Sequence, residues 1–244
     1  MVDRRTALKL SAKAFAAVCA AFPVLLAACA TPEGAGSDSG GDTGGADEGP
    51  LRYAQLLERV ATLAELQFDE GWDREAYVAD VALLMSALDL DDPDLLALYS
   101  DYADRVRDFP EITTVEDNDL FEVSVLQFEA GDVIPLHDHP DMTGVILCVR
   151  GAVDIENFDV LDEASASGRL LLRRASQGTL RAGEVGTLTV DAGNVHTLTA
   201  TEFTELLDVF TPGYNRDRAL RSRYFARDAA AYDGRDGVYE ADVI

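Results

Sequence analysis

The sequence predicts a mainly β domain, a small antiparallel barrel or sandwich, preceded by a helical segment. Two observations carry this. From residue 51 to about 108 apolar residues recur at helical spacing, and after Pro110 the pattern changes to short β-rich runs broken by Gly and Asp roughly every ten residues. A third observation sets the chemistry. The chain has three histidines in 244 residues: two form His137-Asp138-His139, and His196 follows in D-A-G-N-V-H-T.

The first residues read as an address. Arg4, Arg5, Lys9 and Lys13 form a basic start, and the apolar run that follows, about fifteen residues, is too short to cross a bilayer core of roughly 30 Å as a helix. Arg4-Arg5 followed by Leu8-Lys9 resembles a twin-arginine export signal, and Leu26-Ala27-Ala28-Cys29 resembles a bacterial lipobox. Residues 1–28 are therefore expected to be a lipoprotein signal peptide, with Cys29 as the lipidated first residue of the mature chain. An ordinary secretory signal with an incidental cysteine is the alternative. Residues 29–50 are rich in Gly, Ser and Asp and hold almost no large apolar side chain, so they read as a flexible acidic tether. The expected location is the cell envelope, outside the cytoplasm, with the domain attached to a membrane through lipid alone.

Charge narrows the partners. The first 28 residues hold four of the 20 cationic residues and one of the 45 acidic ones, which leaves 16 Arg against 44 Asp and Glu. So acidic a surface disfavours nucleic acid and anionic lipid, since both demand the opposite sign. Cys148 has no intramolecular disulfide partner once Cys19 has left with the signal and Cys29 is acylated. It reads as a small buried hydrophobe.

Residues 51–110 form the helical lead-in. Tyr53, Leu56, Leu57, Val60, Leu63, Ala64 and Gln67 share one face of a first helix, which Gly71 ends. Asp73 can cap a second helix with the stripe Tyr77, Val81, Leu84 and Leu88. Asp92-Pro93 starts a third with Leu95, Tyr99, Tyr102 and Val106. No reactive cluster stands on these helices, and Trp72 and the tyrosines read as packing residues. Strands are expected at 120–128, 145–149, 152–158, 170–174, 184–190, 196–200 and 205–210. The domain is expected to run over 111–230, with 231–244 as an acidic tail.

The run from Gly131 to Gly151, G-x5-His137-x-His139 with a later glycine, matches the spacing of the first cupin motif. I-P-L-H-D-H-P-D-M, then N-V-H, then L-L-D-V-F-T-P-G-Y resemble, in that order and spacing, the 2-aminoethanethiol (cysteamine) dioxygenase and plant cysteine oxidase family of cupins. The resemblance covers about residues 120–225. It implies a cupin, that is, a double-stranded β-helix or jelly-roll-like barrel. It also implies one Fe(II) per chain on His137, His139 and His196, with a thiol and O2 meeting there to give a sulfinic acid. Two further residues carry over: Asp208, twelve positions after His196, matches an aspartate near the metal, and Tyr214 matches a tyrosine lining the site.

The residues support this reading independently. Histidines two apart on a strand point to one side, and neutral imidazole suits iron, zinc, copper and nickel alike. Zinc therefore stays open as the competitor. A typical cupin carries a glutamate shortly after His-x-His, whereas here Thr143 and Gly144 stand at the corresponding positions. Three neutral ligands leave the full charge of a divalent ion, and up to three open positions, to an anionic chelator such as a thiolate with a neighbouring amine. Asp208 could orient a ligand or hold the substrate amine. Tyr214 could donate a hydrogen bond to substrate or oxygen. Asp138 is expected to point outward. Asp141 stands where the family commonly has Gly, and Gly144 where a related enzyme carries a crosslinking cysteine, so no such crosslink is expected. The expected partners are a small thiol or an N-terminal-Cys peptide together with O2, acting on a monomer. Another metal-dependent cupin enzyme and a non-catalytic, ligand-binding cupin are the rival readings.

Overall fold

The structure, a computed structural model, describes residues 49–100, 110–214 and 216–244. The expected signal, Cys29 and all but the last residues of the tether lie outside these, as do Tyr102 and Val106.

Three helices open the described chain: α1 (Tyr53–Ala64), α2 (Arg74–Ser86) and α3 (Pro93–Ser100), with a 3-10 turn at Glu65–Phe68 between the first two. Helix α1 buries Tyr53, Leu56, Val60 and Ala64 on the predicted stripe. Asp73 caps α2 by accepting from the Ala76 N–H at 3.0 Å. That helix buries Tyr77, Val78, Val81 and Met85. Leu84, expected on the stripe, is only half-buried. Asp92 serves two helices at once. One carboxylate oxygen accepts from the Asp94 N–H at the start of α3 (3.0 Å), and the other from the Tyr53 N–H at the start of α1 (2.7 Å).

Eleven strands follow among the described residues: β1 (Glu111–Asp117), β2 (Glu122–Phe128), β3 (Val133–His137), β4 (Thr143–Arg150), β5 (Ala152–Ala164), β6 (Leu170–Arg181), β7 (Val185–Leu188), β8 (Val195–Ala200), β9 (Thr204–Thr211), β10 (Phe225–Arg227) and β11 (Val238–Val243). A short helix, α4 (Arg216–Arg221), precedes β10. The strands make two facing sheets, β1-β2-β9-β4-β7 and β10-β11-β6-β5-β8-β3. This is the predicted jelly-roll-like barrel with a helical segment in front of it.

Side-chain alternation decides what each face of the first sheet does. Val123, Val125, Val145, Leu147, Val149, Leu207 and Val209 face outward and form one core with α1, α2 and α3. Leu126, Phe128, Ile146, Cys148 and Leu206 face inward and meet Ile134, Val153, Ile155 and Leu198 of the second sheet. Tyr77 ties the helical layer to the barrel, its hydroxyl 2.5 Å from Thr211 Oγ1.

Two expectations need correction. Residues 231–244 are not a tail, because β11 lies between β10 and β6 in the second sheet. Tyr239 and Ala241 pack with Phe158 and Leu172, while Glu240 and Asp242 point the other way to Arg169. The acidic residues hid a period-two pattern. Strand β3 also escaped sequence reading, because Pro135 sits at its centre. It is tolerated there because β3 is the edge of its sheet, where a missing N–H breaks no ladder.

Replacing Asp92 by Ala is expected to cost about 1–2 kcal/mol of stability, since two helix starts lose their acceptor. The Tyr53 N–H hydrogen bond, with that of Asp94, holds the Asp92 carboxyl below the usual carboxylate range. Its contribution is thus complete above the unfolded pKa of about 3.9 and is lost as pH falls through the lower folded value. Thermal melts of both proteins should therefore differ at pH 7 and converge in acid.

Candidate metal centre

The antiparallel pairing of β3 with β8 puts His137 directly opposite His196, after a register shift between Ile134 and His137. His139 lies just beyond the end of β3, so the expectation that both motif histidines sit on one strand holds only for His137. A different device brings His139 in. The Asn194 side chain accepts from the His139 N–H (2.9 Å) and donates to the carbonyls of His139 and Thr189, both at 3.1 Å. Asn194 is two residues before His196, so one amide locks the two ligand-bearing segments together.

The three side chains converge. One ring nitrogen from each lies within 4.8 Å of the others, and His139 Nε2 is 3.0 Å from His196 Nε2. His139 and His196 are buried and His137 is half-buried. Burial pushes all three imidazoles below their ordinary pKa, His139 and His196 strongly, so the rings are neutral at physiological pH. The nitrogens facing away fix which atom points inward. His137 Nδ1–H donates to the Pro135 carbonyl at 2.8 Å, which leaves the Nε2 lone pair for the centre. His139 Nδ1 is hydrogen-bonded to the Tyr214 hydroxyl. His196 Nδ1 is buried without a hydrogen-bond partner. Neutral, desolvated imidazoles whose ring nitrogens converge on one point fit a divalent transition-metal cation, which would satisfy them together.

Aromatic rings and one glycine shape the surroundings. Phe210 stacks on His139 with centroids 4.4 Å apart, and Tyr224 stacks on His137 at 5.7 Å. Gly144 lies beneath Phe210. A Cβ at 144 would come within 2.5 Å of the ring, so neither a ligating glutamate nor a crosslinking cysteine fits there while Phe210 covers the site. Thr143, the other position considered, shares its face of β4 with Val145 and Leu147 and points toward the helical layer. Cys148 is buried away from the centre, and burial pushes its thiol up to about 11.

Asp208 shares with His196 and Phe210 the lining of a small cavity that also takes in Gly144, Ile146 and Asn157. Its carboxyl is driven well above the carboxylate range, mainly by burial and then by Glu122. Burial likewise raises the Tyr214 phenol. Asp138 does point away from the centre, but it is a buried anchor. Its carboxylate accepts from the backbone N–H (2.6 Å) and Nε (2.7 Å) of Arg223, and its own N–H donates to the Arg223 carbonyl. Asp141 adopts a left-handed backbone, φ 61°, and pairs with Arg221 at 2.6 Å. That conformation explains why glycine is the common residue there.

Residues 84–238, well over half the chain, match the family model PCO_ADO. The chain belongs to this family. PCO_ADO proteins are thiol dioxygenases, and the assignment agrees with the cysteamine dioxygenase and plant cysteine oxidase resemblance of the motifs. Among curated relatives, Plant cysteine oxidase 2 of Arabidopsis thaliana is 26% identical over 126 residues, 50% of this chain and 46% of that protein. Plant cysteine oxidase 1 of the same plant is 27% identical over 111 residues, 44% of this chain and 38% of that protein. The chain thus spans less than half the length of either relative. Similar solved structures include an RmlC-like cupin protein from Desulfovibrio desulfuricans (16% identity, TM-score 0.34, 46% of this chain and 93% of that one). Another is an uncharacterized protein with a double-stranded β-helix domain from Klebsiella pneumoniae (18%, 0.35, 47% and 81%).

Sequence reasoning missed Asn194 and the packing role of Phe210. The signal for Asn194 was its place two residues before a ligand, where a side-chain amide can reach across to the paired segment. Phe210 gave no signal, because its importance comes from a ring lying over Gly144 on a neighbouring strand.

Gly144→Ala is expected to destabilise the fold by about 1–3 kcal/mol through overpacking. It should also tilt Phe210 off His139. Denaturant unfolding and a crystal structure of the variant check the two halves.

Proposed function

We propose that this PCO_ADO chain is an Fe(II)-dependent thiol dioxygenase acting on cysteamine or an N-terminal cysteine. The observation that carries the reading is the three-histidine centre with no room for a ligating carboxylate at position 144, found in a chain of a thiol dioxygenase family. Iron held by His137, His139 and His196 would supply positions where a thiol and dioxygen react, with both oxygen atoms added to sulfur: R–SH + O2 → R–SO2H.

The chain's own residues do the rest. The Pro135 carbonyl and the Tyr214 hydroxyl hold the His137 and His139 rings in orientation. Phe210 and Gly144 keep an anionic side chain out, so the compensating negative charge comes from the substrate thiolate. Asp208, desolvated at the cavity, can take the charged amine of an aminothiol, and that contact would restore its ionised form. Tyr214 and Tyr224 pack against the His139 and His137 rings.

Mature protein reconstituted anaerobically with Fe(II) is expected to consume O2 with cysteamine or a Cys-initiated peptide and to yield a product about 32 Da heavier. His196→Ala should lose both iron and turnover. An iron-loaded protein that turns over no thiol would sink the dioxygenase reading in favour of a ligand-binding cupin. Preferential activity with zinc would point to another cupin chemistry.

Export and lipidation belong to the same proposal and rest on the sequence of residues 1–29. Cys29→Ser is expected to move the protein from the membrane fraction to the soluble fraction of an expressing bacterium. Retention in the membrane fraction would refute the lipid anchor.

A further inference from the structure

The T-P-G-Y run at residues 211–214 leaves one question open: what holds Tyr214 where its hydroxyl meets His139. Tyr214 follows β9 and lies in no strand or helix, so no ladder fixes its backbone. Its N–H donates to Glu122 Oε2 at 3.0 Å. Glu122 is the first residue of β2, is buried, and faces the barrel interior beside Ser124. Its other oxygen accepts from Thr114 Oγ1 and Ser124 Oγ, both at 3.0 Å. Among the described residues Glu122 has no ion pair. A buried carboxylate without a cation is costly unless its lone pairs are filled, and here three donors fill them, one from each of β1, β2 and the Tyr214 loop.

A second observation is independent of the carboxylate. Gly213 sits so close to β2 that a Cβ there would lie 3.1 Å from the Phe121 carbonyl carbon and 3.2 Å from the Glu122 nitrogen. The loop is pressed onto the start of β2, and Arg218 Nη1 holds its far side by donating to the Gly213 carbonyl at 3.0 Å. The turn is therefore built against Glu122, and its next residue reaches the metal centre.

We propose that Glu122 is the positioning residue for Tyr214: its carboxylate fixes the Tyr214 backbone so that the phenol meets His139 Nδ1 and sets the orientation of that ring. The role deepens the metal-centre reading and rests on it. Glu122 touches neither substrate nor metal. It reaches His139 through Tyr214, while its charge also raises the Asp208 carboxyl, and the Tyr214→Phe background separates the first role from general stability. Removing Glu122 should harm the centre only while the Tyr214 hydroxyl is present to be misplaced.

The test uses Co(II) binding to the full chain, read by affinity and by the visible absorption of the bound ion, with no O2 involved. Tyr214→Phe and Glu122→Ala are each expected to weaken Co(II) about 10-fold, the usual scale for losing a partner of a ligand histidine, and to change the spectrum alike. The double variant should be no weaker than Tyr214→Phe alone. Glu122→Gln should bind Co(II) as the native chain does, because the amide oxygen can accept from the Tyr214 N–H while its NH2 meets the two hydroxyls. Additive losses in the double variant would overturn the proposal. So would a folded Glu122→Ala protein with native affinity, or a Glu122→Gln protein as weak as the alanine variant. If Glu122→Ala does not fold, Gly213→Ala takes its place. It shifts the turn without removing the carboxylate and should change Co(II) binding in the native background but not beside Tyr214→Phe; an equal loss in both would overturn the role. Should the chain bind Co(II) as described but oxidise no thiol, the dioxygenase reading falls and the positioning role stands. A native chain that binds no Co(II) would remove the centre and the role together.

Discussion

Three imidazoles, two buried and one half-buried, whose nitrogens stand within 4.8 Å of one another are the constraint on which the rest of this fold turns. Desolvated nitrogen lone pairs facing each other are unfavourable, and protonating one ring would place a charge in the same dry space. Each ring therefore has to be held against relaxation until a cation satisfies all three. The β3–β8 pairing fixes His137 against His196, Asn194 fixes the loop of His139, and Phe210 closes over the His139 ring. The helical layer contributes from outside, by covering the opposite face of the sheet that carries Phe210 and Asp208. Position, in this molecule, is inherited from strand register.

That dependence explains what could be read from the sequence. The histidine set was legible because the motif spacing reflects two adjacent antiparallel segments. The Asp73 cap, the stripe of α1 and the Leu95–Tyr99 part of the α3 stripe were legible because they are local. Strand β3 was obscured by Pro135, which only an edge position permits, and β11 by acidic residues whose partner Arg169 lies about 70 positions away in sequence. Asn194, Glu122 and Phe210 stayed silent for the same reason. Their meaning is tertiary, set by which strand lies opposite, and no local period reports it.

Asp138 and Asp141 show how far a motif residue can be read. Asp138, between two ligands, does face away, yet it is buried and carries the Arg223 segment; removing one partner of such a pair leaves an uncompensated buried charge. Asp141 departs from the family's glycine and keeps the left-handed backbone that glycine would adopt freely, while its carboxylate pairs with Arg221 of α4. Both acids thus fasten the segment around α4 and β10 to the ligand loop. The shallow pair is exposed and of small energetic weight, whereas the deep one is structural.

Position 144 is closed to a carboxylate ligand, and the cause is steric. Phe210 occupies the space above Gly144 and stacks on His139. Replacing the glycine by an acid would thus require Phe210 to move as well. The neutrality of the ligand set follows from packing in the barrel. A divalent ion bound there would keep its whole charge for what approaches from outside, and Asp208, whose carboxyl burial drives well above the carboxylate range, lines the same cavity as His196. A cationic group placed against Asp208 would favour its ionised form.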